Sequence, residues 1–268
     1  MTEKHITLAK KITNRYSTLS QVEAIVLGGS LASGTADPTS DIDLYIYLQE
    51  DIPAEQRLTI AREYSPDAQA NDFWGAGNEW IDPESGIHAD LMFWTVGWIE
   101  DQIDRTLRRH EAWVGYTTCF WHTIRNSQIL FDRNGWFKKL HTSALVAYPE
   151  ALVPAIIAQN YPILRKNESA YFFQIKKAVE RNDLISINHR VAEFLASYFD
   201  IIFAINRCPH PGEKRLLKWA EMQCNKLPND MSKQVNDLIR AIPKADQSIL
   251  VIINDLVNGL DELLGKEE

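Results

Sequence analysis

The segment from Val22 to Leu48 constrains the fold more than any other part of the chain. It reads VEAIVLGGSLASGTADPTSDIDLYIYL. An apolar run of β-type residues leads directly into Gly28-Gly29-Ser30, and a second apolar run follows a turn-rich stretch. We therefore predict two strands and a connection between them. The glycines of the connection allow backbone conformations that other residues rarely adopt.

Two carboxylates, Asp41 and Asp43, stand at the start of the second of these strands. Successive side chains of a strand point to opposite faces, so both carboxylates project from one face while Ile42 and Leu44 enter the core. Carboxylates so close together repel one another unless a cation compensates their charge. Magnesium is usually held by one or two carboxylates and substrate phosphates, so the pair indicates a magnesium site, with room for two ions.

The turn Gly28-Gly29-Ser30 is a candidate phosphate-binding element. Without a Cβ, its glycines let the backbone approach phosphate oxygens closely, and Ser30 adds a hydroxyl and an N–H. If a helix begins near Leu31, its N-terminus supplies further amide donors. Ser40, just before the acidic pair, is a candidate phosphate contact as well, although a local turn hydrogen bond is the more frequent use of such a serine.

The order Gly-Gly-Ser, then Gly34, then Ser40-Asp41-Ile42-Asp43 resembles the signature of the DNA polymerase β-like nucleotidyltransferase superfamily. The resemblance covers about residues 22–48. It implies a nucleoside triphosphate, usually ATP, and Mg²⁺, with a nucleotidyl group transferred to a hydroxyl. Chain length and a helical C-terminal half resemble the bacterial nucleotidyltransferases that adenylylate aminoglycosides or lincosamides, which implies a small hydroxylated acceptor and antibiotic resistance.

Members of this superfamily generally carry a third carboxylate on a later strand, as a metal ligand or as the general base for the acceptor. Asp90, in GIHADLMFW, is the best candidate here, and we assign it with Asp41 and Asp43 to catalysis and metal binding. On that strand Asp90 shares one face with His88, Met92 and Trp94. The structural alternative for Asp90 is a charge paired with an arginine; His88 is a base, a partner of Asp90 or a surface residue.

The two halves of the chain differ in periodicity. Short β-type runs, residues 22–27, 42–48 and 87–94, alternate with helical stretches, and a helical period follows from about Gly97. The helical period is clearest in DLISINHRVAEFLASYFDIIFAIN, where Asp183 is the expected N-cap and Pro209 lies beyond the end of the helix. Further helices are expected over residues 213–225, 231–241 and 247–264. We predict an α/β (α+β) nucleotidyltransferase domain with a small mixed sheet over residues 1–135, followed by an all-α domain over residues 136–268.

Other candidate site residues have weaker support. Lys214, in CPHPGEKRLLKWA, is a candidate phosphate ligand, although charged residues in the first turn of a helix are most often solvated. Four aromatic residues are candidates for the wall of an acceptor pocket or for stacking on a base, with core filling as the default: Trp74, Trp80, Tyr116 and Trp121.

Composition limits the partners. A net charge of −8, from 36 acidic and 28 basic side chains, disfavours a long nucleic acid but allows a nucleotide held through metal. Three cysteines without paired spacing, and no apolar run of membrane-spanning length, indicate a cytoplasmic protein with no membrane partner. We expect a monomer or homodimer, a choice that the sequence leaves open. Two alternatives stay open: a protein or RNA acceptor, and a nucleotide-binding protein that has lost catalysis.

Overall fold

The computed structural model describes residues 2–34, 36–37, 40–73 and 75–266. The chain forms two compact units, and each unit takes two separate stretches of sequence. The first unit comprises Met1–Asp104 and Phe120–Val146, and the second comprises Arg105–Cys119 and Ala147–Glu268.

The first unit is built on a mixed β-sheet. Its described residues form six strands in the spatial order β3-β4-β5-β2-β1-β6. Strands β2 and β5 are parallel and the other neighbouring pairs are antiparallel, so the small mixed sheet expected from the sequence is confirmed. The strands are β1 (Val22–Leu27), β2 (Ile42–Leu48), β3 (Gln69–Ala70), β4 (Gly77–Ile81), β5 (His88–Thr95) and β6 (Gln128–Asp132).

One face of this sheet is covered by an apolar core. Helix α1 (Glu3–Tyr16) packs Leu8, Ile12 and Tyr16 into the same cluster as Ile42, Leu44 and Leu91 of strands β2 and β5. Alternate residues of these strands therefore point away from the core, toward the other face. The remaining helices that begin in or border this unit are α2 (Gly29–Ser33), α3 (Ala54–Ala61), α4 (Val96–Leu107), α5 (Cys119–Asn126) and α6 (Trp136–Ala144).

Helices make up the described secondary structure of the second unit, as expected for the C-terminal part of the chain. The longest, α9, begins at the predicted cap, where the carboxylate of Asp183 accepts from the backbone N–H of Ser186 at 3.0 Å. The helices are α7 (Leu152–Tyr161), α8 (Tyr171–Glu180), α9 (Leu184–Ile205), α10 (Leu216–Gln223), α11 (Met231–Ala241) and α12 (Ser248–Leu264); a π-helical turn (Pro162–Lys166) and a 3₁₀ turn (Ile242–Lys244) join neighbouring helices.

The helical period expected from about Gly97 is interrupted by one strand, which lies inside the predicted α/β domain. Residues Gln128–Asp132 form strand β6, which pairs antiparallel with β1 and places Leu27 opposite Gln128. This five-residue run has an apolar stretch of only three residues, 129–131, and no buried face, because its residues are half-buried or exposed. The pairing partner lies about 100 residues earlier in sequence, and local periodicity carries no information about such a long-range contact.

A buried polar network organises the second unit. The Asp200 carboxylate, only 1% exposed, accepts from the Thr117 hydroxyl at 2.6 Å, the Thr117 N–H at 3.1 Å and the Asn160 amide at 3.3 Å. Asn160 also donates to the carbonyl of Trp113 at 2.8 Å and accepts from the N–H of Gly115 at 2.9 Å. These bonds hold the loop of residues 113–117 against helices α7 and α9.

Substitution of Asp200 by alanine is expected to lower the free energy of unfolding by about 3 kcal/mol, because three buried donors lose their acceptor and a small cavity forms. Urea denaturation followed by circular dichroism measures this change. The matched control is Asp255→Ala on the exposed surface of α12, which we expect to change stability by less than about 0.5 kcal/mol. Equal effects of the two substitutions would contradict this role for Asp200.

The same carboxylate gives stability a pH dependence. Burial raises the pKa of Asp200 from its ordinary value to about 7. Between about pH 4 and pH 7 the folded protein therefore holds a proton that the unfolded chain releases, and the free energy of unfolding falls as pH rises, by about 1.4 kcal/mol per unit in the middle of the window. The slope is halved at about pH 7 and the contribution becomes constant above about pH 8. Urea unfolding at pH 5, 6, 7 and 8 should show this slope in wild type and a smaller one in Asp200→Asn.

Candidate active site

The Gly-Gly turn at the end of β1 is tied to the neighbouring strand. The N–H of Gly28 donates to the carbonyl of Asp43 at 2.9 Å. Helix α2 begins at Gly29, two residues earlier than Leu31, and Gly29 has φ of +57°. Residues other than glycine seldom adopt this left-handed conformation, so the second glycine is required for the direction in which the chain leaves the strand.

Both glycines also make room for side chains of strand β2. A Cβ on Gly29 would lie 1.7 Å from Oδ2 of Asp43, and a Cβ on Gly28 would lie 2.2 Å from the Tyr45 ring. Neither distance is compatible with a real Cβ, so the turn approaches β2 as closely as only glycine permits. The phosphate-binding candidate and the carboxylate of Asp43 therefore lie directly against one another.

Carboxylates from three neighbouring strands form a row on the sheet face opposite α1, which we call the open face because its carboxylates are partly exposed. Asp43 of β2 is in register with Asp90 of β5, and Asp90 is in register with Glu79 of β4. All three are half-buried, whereas their neighbours Leu44, Ala89 and Leu91 are buried on the core face. The alternation expected for Asp43 and Asp90 is present, and the two residues share a face across adjacent strands.

Glu79 was missed by the sequence analysis. Its strand, β4, lies in a stretch where helices were expected, and the buried Asn78 and Trp80 that flank Glu79 show no simple apolar alternation. The run GNEWI does place a single charged residue between two inward-facing ones, which is the signal that would have indicated it.

Asp41 and His88 lie at the end of this row. The Asp41 side chain is 54% exposed, just before β2, and His88 occupies the first position of β5. Nδ1 of His88 lies 3.8 Å from Oδ1 of Asp41, and Nε2 lies 3.8 Å from Oε2 of Glu79. The amide of Asn71 donates to Glu79 at 3.2 Å. The imidazole therefore lies between Asp41 and Glu79, the two acidic partners that the structure gives it.

The three remaining polar candidates lie in different settings. Ser30 is half-buried in the first turn of α2. The Ser40 hydroxyl accepts from the N–H of Asp37 at 2.8 Å, which is the local turn bond expected as the alternative to phosphate contact. Lys214 is exposed in the turn before α10, in the second unit. Its role as a phosphate ligand stays a prediction.

Two of the aromatic candidates are buried, as the default of core filling expects. Trp80 belongs to the core of the first unit, Trp121 is buried in the same unit with its indole N–H donating to the carbonyl of Ala144 at 2.8 Å, and Tyr116 belongs to the second unit. Trp74 lies outside the described residues. A different group, which we call the aromatic patch, extends from the open face of the sheet: Tyr45, Trp94, Trp98 and Phe120. Only Trp94 of this group had been placed on the Asp90 face.

The row of carboxylates has the donor chemistry that magnesium prefers. Within the described ranges, no three His, Cys, Asp or Glu side chains converge closely enough to hold a metal ion on their own. Magnesium does not require such a cluster, because it is commonly bound through one or two carboxylates together with substrate phosphates and water. Asp43, with Asp41 before it and the glycine turn against it, offers that incomplete, oxygen-only set.

A separate cavity of about 570 Å³ lies within the second unit. Val153, Ile157 and Leu264 give it an apolar wall, and Arg207 and Asp261 are its charged residues. None of the predicted site residues lines it. We therefore place the candidate active site at the carboxylate row of the first unit and not at this cavity.

Two family models match the chain. Residues 10–73 match the family described as polymerase beta, nucleotidyltransferase, and residues 113–220 match a domain of unknown function, DUF4037. The first match contains β1, the Gly-Gly turn and the Asp41–Asp43 pair. Together with the mixed sheet, it defines a nucleotidyltransferase domain. Residues 10–73 of the first unit therefore match the polymerase beta nucleotidyltransferase family.

Solved structures of nucleotidyltransferases are similar to the chain at low identity. A nucleotidyltransferase-like protein from Exiguobacterium sibiricum is 12% identical, with a TM-score of 0.45, and the match covers 97% of this chain and 74% of that one. Spectinomycin adenyltransferase from Enterococcus faecialis, solved with ATP and spectinomycin, is 12% identical, with a TM-score of 0.36 and coverage of 97% and 100%. The CCA-adding enzyme of Thermotoga maritima, complexed with tRNA, is 14% identical, with a TM-score of 0.33 and coverage of 91% and 58%.

No curated protein matches the chain. Among the described helices, none combines the length and the apolar composition needed to cross a membrane.

Proposed function

We propose that the first unit transfers a nucleotidyl group, AMP from ATP in the simplest case, to a hydroxyl of a small molecule. The observation that carries this proposal is the register of Asp43 with Asp90, beside a glycine turn that touches the Asp43 carboxylate. A phosphate-binding turn and acidic residues on adjacent strands are the parts that phosphoryl chemistry needs in one place.

Each residue has a role in this proposal. The backbone of Gly28, Gly29 and Ser30 binds the triphosphate, and Asp41 and Asp43 hold magnesium with the phosphate oxygens. Bound magnesium would neutralise charge on the phosphates and on the departing pyrophosphate. Asp90 is the base or an additional ligand, and its position next to Asp43 suits either role.

The bonds exchanged in this reaction balance without a further reactant. The acceptor hydroxyl oxygen attacks the α-phosphorus while the bond from the α-phosphorus to the bridging oxygen breaks. With Asp90 as the base, the hydroxyl proton passes to its carboxylate, and pyrophosphate leaves. Asp90 acts here at the oxygen of the acceptor, whereas the glycine turn holds the phosphates in line for displacement.

A small acceptor is favoured by the charge of the protein. With a net charge of −8, a nucleic acid would be repelled over much of the surface, whereas a small hydroxylated molecule would not. The architecture that resembles aminoglycoside and lincosamide nucleotidyltransferases makes these antibiotics the first acceptors to test.

Pyrophosphate release tests this function directly. Purified protein is given magnesium, each of the four nucleoside triphosphates and a panel of aminoglycosides, lincosamides and other polyhydroxylated molecules. We expect release that needs both magnesium and one class of acceptor, with an adduct whose mass increases by one nucleotidyl group. Tight nucleotide binding without release for any panel member would favour a macromolecular acceptor or a protein that binds nucleotide without catalysis.

A further inference from the structure

The aromatic patch is a continuous set of rings within the first unit. The ring centroids of Tyr45 and Trp94 are 4.7 Å apart and nearly parallel, those of Trp94 and Trp98 are 5.3 Å apart, and Phe120 meets Trp98 edge-on at 5.0 Å. Trp98, at the start of α4, is 39% exposed and forms the solvent-facing part of the patch. The exposed part of this indole is available for contact with a planar ring.

The patch begins at the phosphate-binding turn. Tyr45 follows Asp43 by two residues on the same face of β2, and its ring fills the space that a Cβ on Gly28 would occupy. Trp94 follows Asp90 by four residues on the same face of β5. At about 3.3 Å per strand residue, the rings extend from about 7 Å to about 13 Å beyond the carboxylates.

A nucleoside triphosphate has matching ends. Its charged phosphates belong at the glycine turn and carboxylates, and its planar, uncharged base must lie a ribose away from the α-phosphate. The four side chains of the patch carry no charge and present rings, which bind a base by stacking. A polyhydroxylated or cationic acceptor would instead need hydrogen-bonding or acidic groups, which lie in the carboxylate row.

We propose that the aromatic patch is the nucleobase subsite of the active site, an inference that rests on the proposed function. Stacking does not read the hydrogen-bonding edge of a base, so ATP and GTP should bind with similar affinity. The smaller rings of CTP and UTP overlap an indole less and should bind more weakly. The patch thus selects purines over pyrimidines rather than one purine over the other.

The test is a set of dissociation constants measured by calorimetry with magnesium present. We expect Trp98→Ala to weaken the binding of ATP and of GTP by about 10-fold, within the range of about 5- to 150-fold that one stacked base contributes. Inorganic tripolyphosphate, which has phosphates but no base, should bind equally to wild type and variant. Trp98→Phe, which keeps a ring, should recover most of the affinity for ATP.

The control is Ile6→Ala. Ile6 is 37% exposed, close to the value for Trp98, but lies on α1, which packs against the other face of the sheet. This variant should bind all ligands like wild type. An unchanged affinity of Trp98→Ala for ATP would overturn the inference and leave the proposed function intact. An equal loss of affinity for ATP and for tripolyphosphate would have the same consequence. Absence of nucleotide binding by wild type would overturn both.

Discussion

Replacing Asp43 by asparagine is expected to lower the rate of pyrophosphate release by at least about 100-fold. Substitutions of groups that merely orient a metal ligand commonly reduce affinity or activity by about 10- to 100-fold, so removal of a ligand's charge should do at least as much. The amide keeps the size of the side chain, and Asp43 lies on the open face of the sheet, so the fold should persist. Initial rates at saturating ATP and varied magnesium measure the effect.

The matched control for this experiment is Asp51→Asn. Asp51 is an exposed aspartate just beyond the other end of β2. Its substitution changes the net charge by the same amount, but away from the candidate site. It should leave the rate within about twofold of wild type if long-range charge effects are screened. An Asp43→Asn variant that is folded by circular dichroism and retains the wild-type rate would contradict the assignment of Asp43.

Alanine at Gly29 is expected to have a similarly large effect on the rate. The new Cβ would lie 1.7 Å from Oδ2 of Asp43, so the carboxylate or the turn must move. The left-handed φ of +57° adds about 1–2 kcal/mol of backbone strain to that displacement. We expect pyrophosphate release to fall by about 100-fold or more, because small misplacements of a catalytic group have effects of this size.

Gly34→Ala separates the contact from the backbone strain. Gly34 also has a left-handed φ, +74°, but a Cβ there would meet no atom within 4 Å. Both variants should therefore lose a comparable amount of stability from strain, whereas the loss of activity should be confined to Gly29→Ala. Equal rates for the two variants, at equal fractions folded in urea titrations, would show that contact between the turn and Asp43 is not needed.

Local sequence patterns were sufficient to predict the strands that carry the candidate site residues and the faces of those strands. The bounds of β1 and β2 follow from two apolar runs separated by turn residues, and the strand period of two places Asp41 and Asp43 on one face. The same period assigned Asp90 to the face away from the core. The N-cap at Asp183 and the apolar face of α9 were also predictable from local sequence, because each depends on residues within one or two helical turns.

Features that depend on long-range pairing were not predictable in this way. The register of Asp43 with Asp90, the adjacent Glu79 and the pairing of β6 with β1 join segments that are far apart in sequence. The aromatic patch combines residues from two strands and two helices, so no single periodicity indicates it. Residues 105–119 belong to the second unit although they lie between two stretches of the first, and no local sequence pattern indicates this assignment.

The most direct measurement of the central claim is ATP binding by calorimetry with magnesium and with EDTA, in wild type and in the double variant Asp41→Asn/Asp43→Asn. If the glycine turn and the carboxylates form one metal–nucleotide site, ATP should bind to wild type much more tightly with magnesium, and the double variant should lose that dependence. Wild-type binding of ATP that is the same with magnesium and with EDTA, or magnesium-dependent binding that survives in the double variant, would contradict the claim.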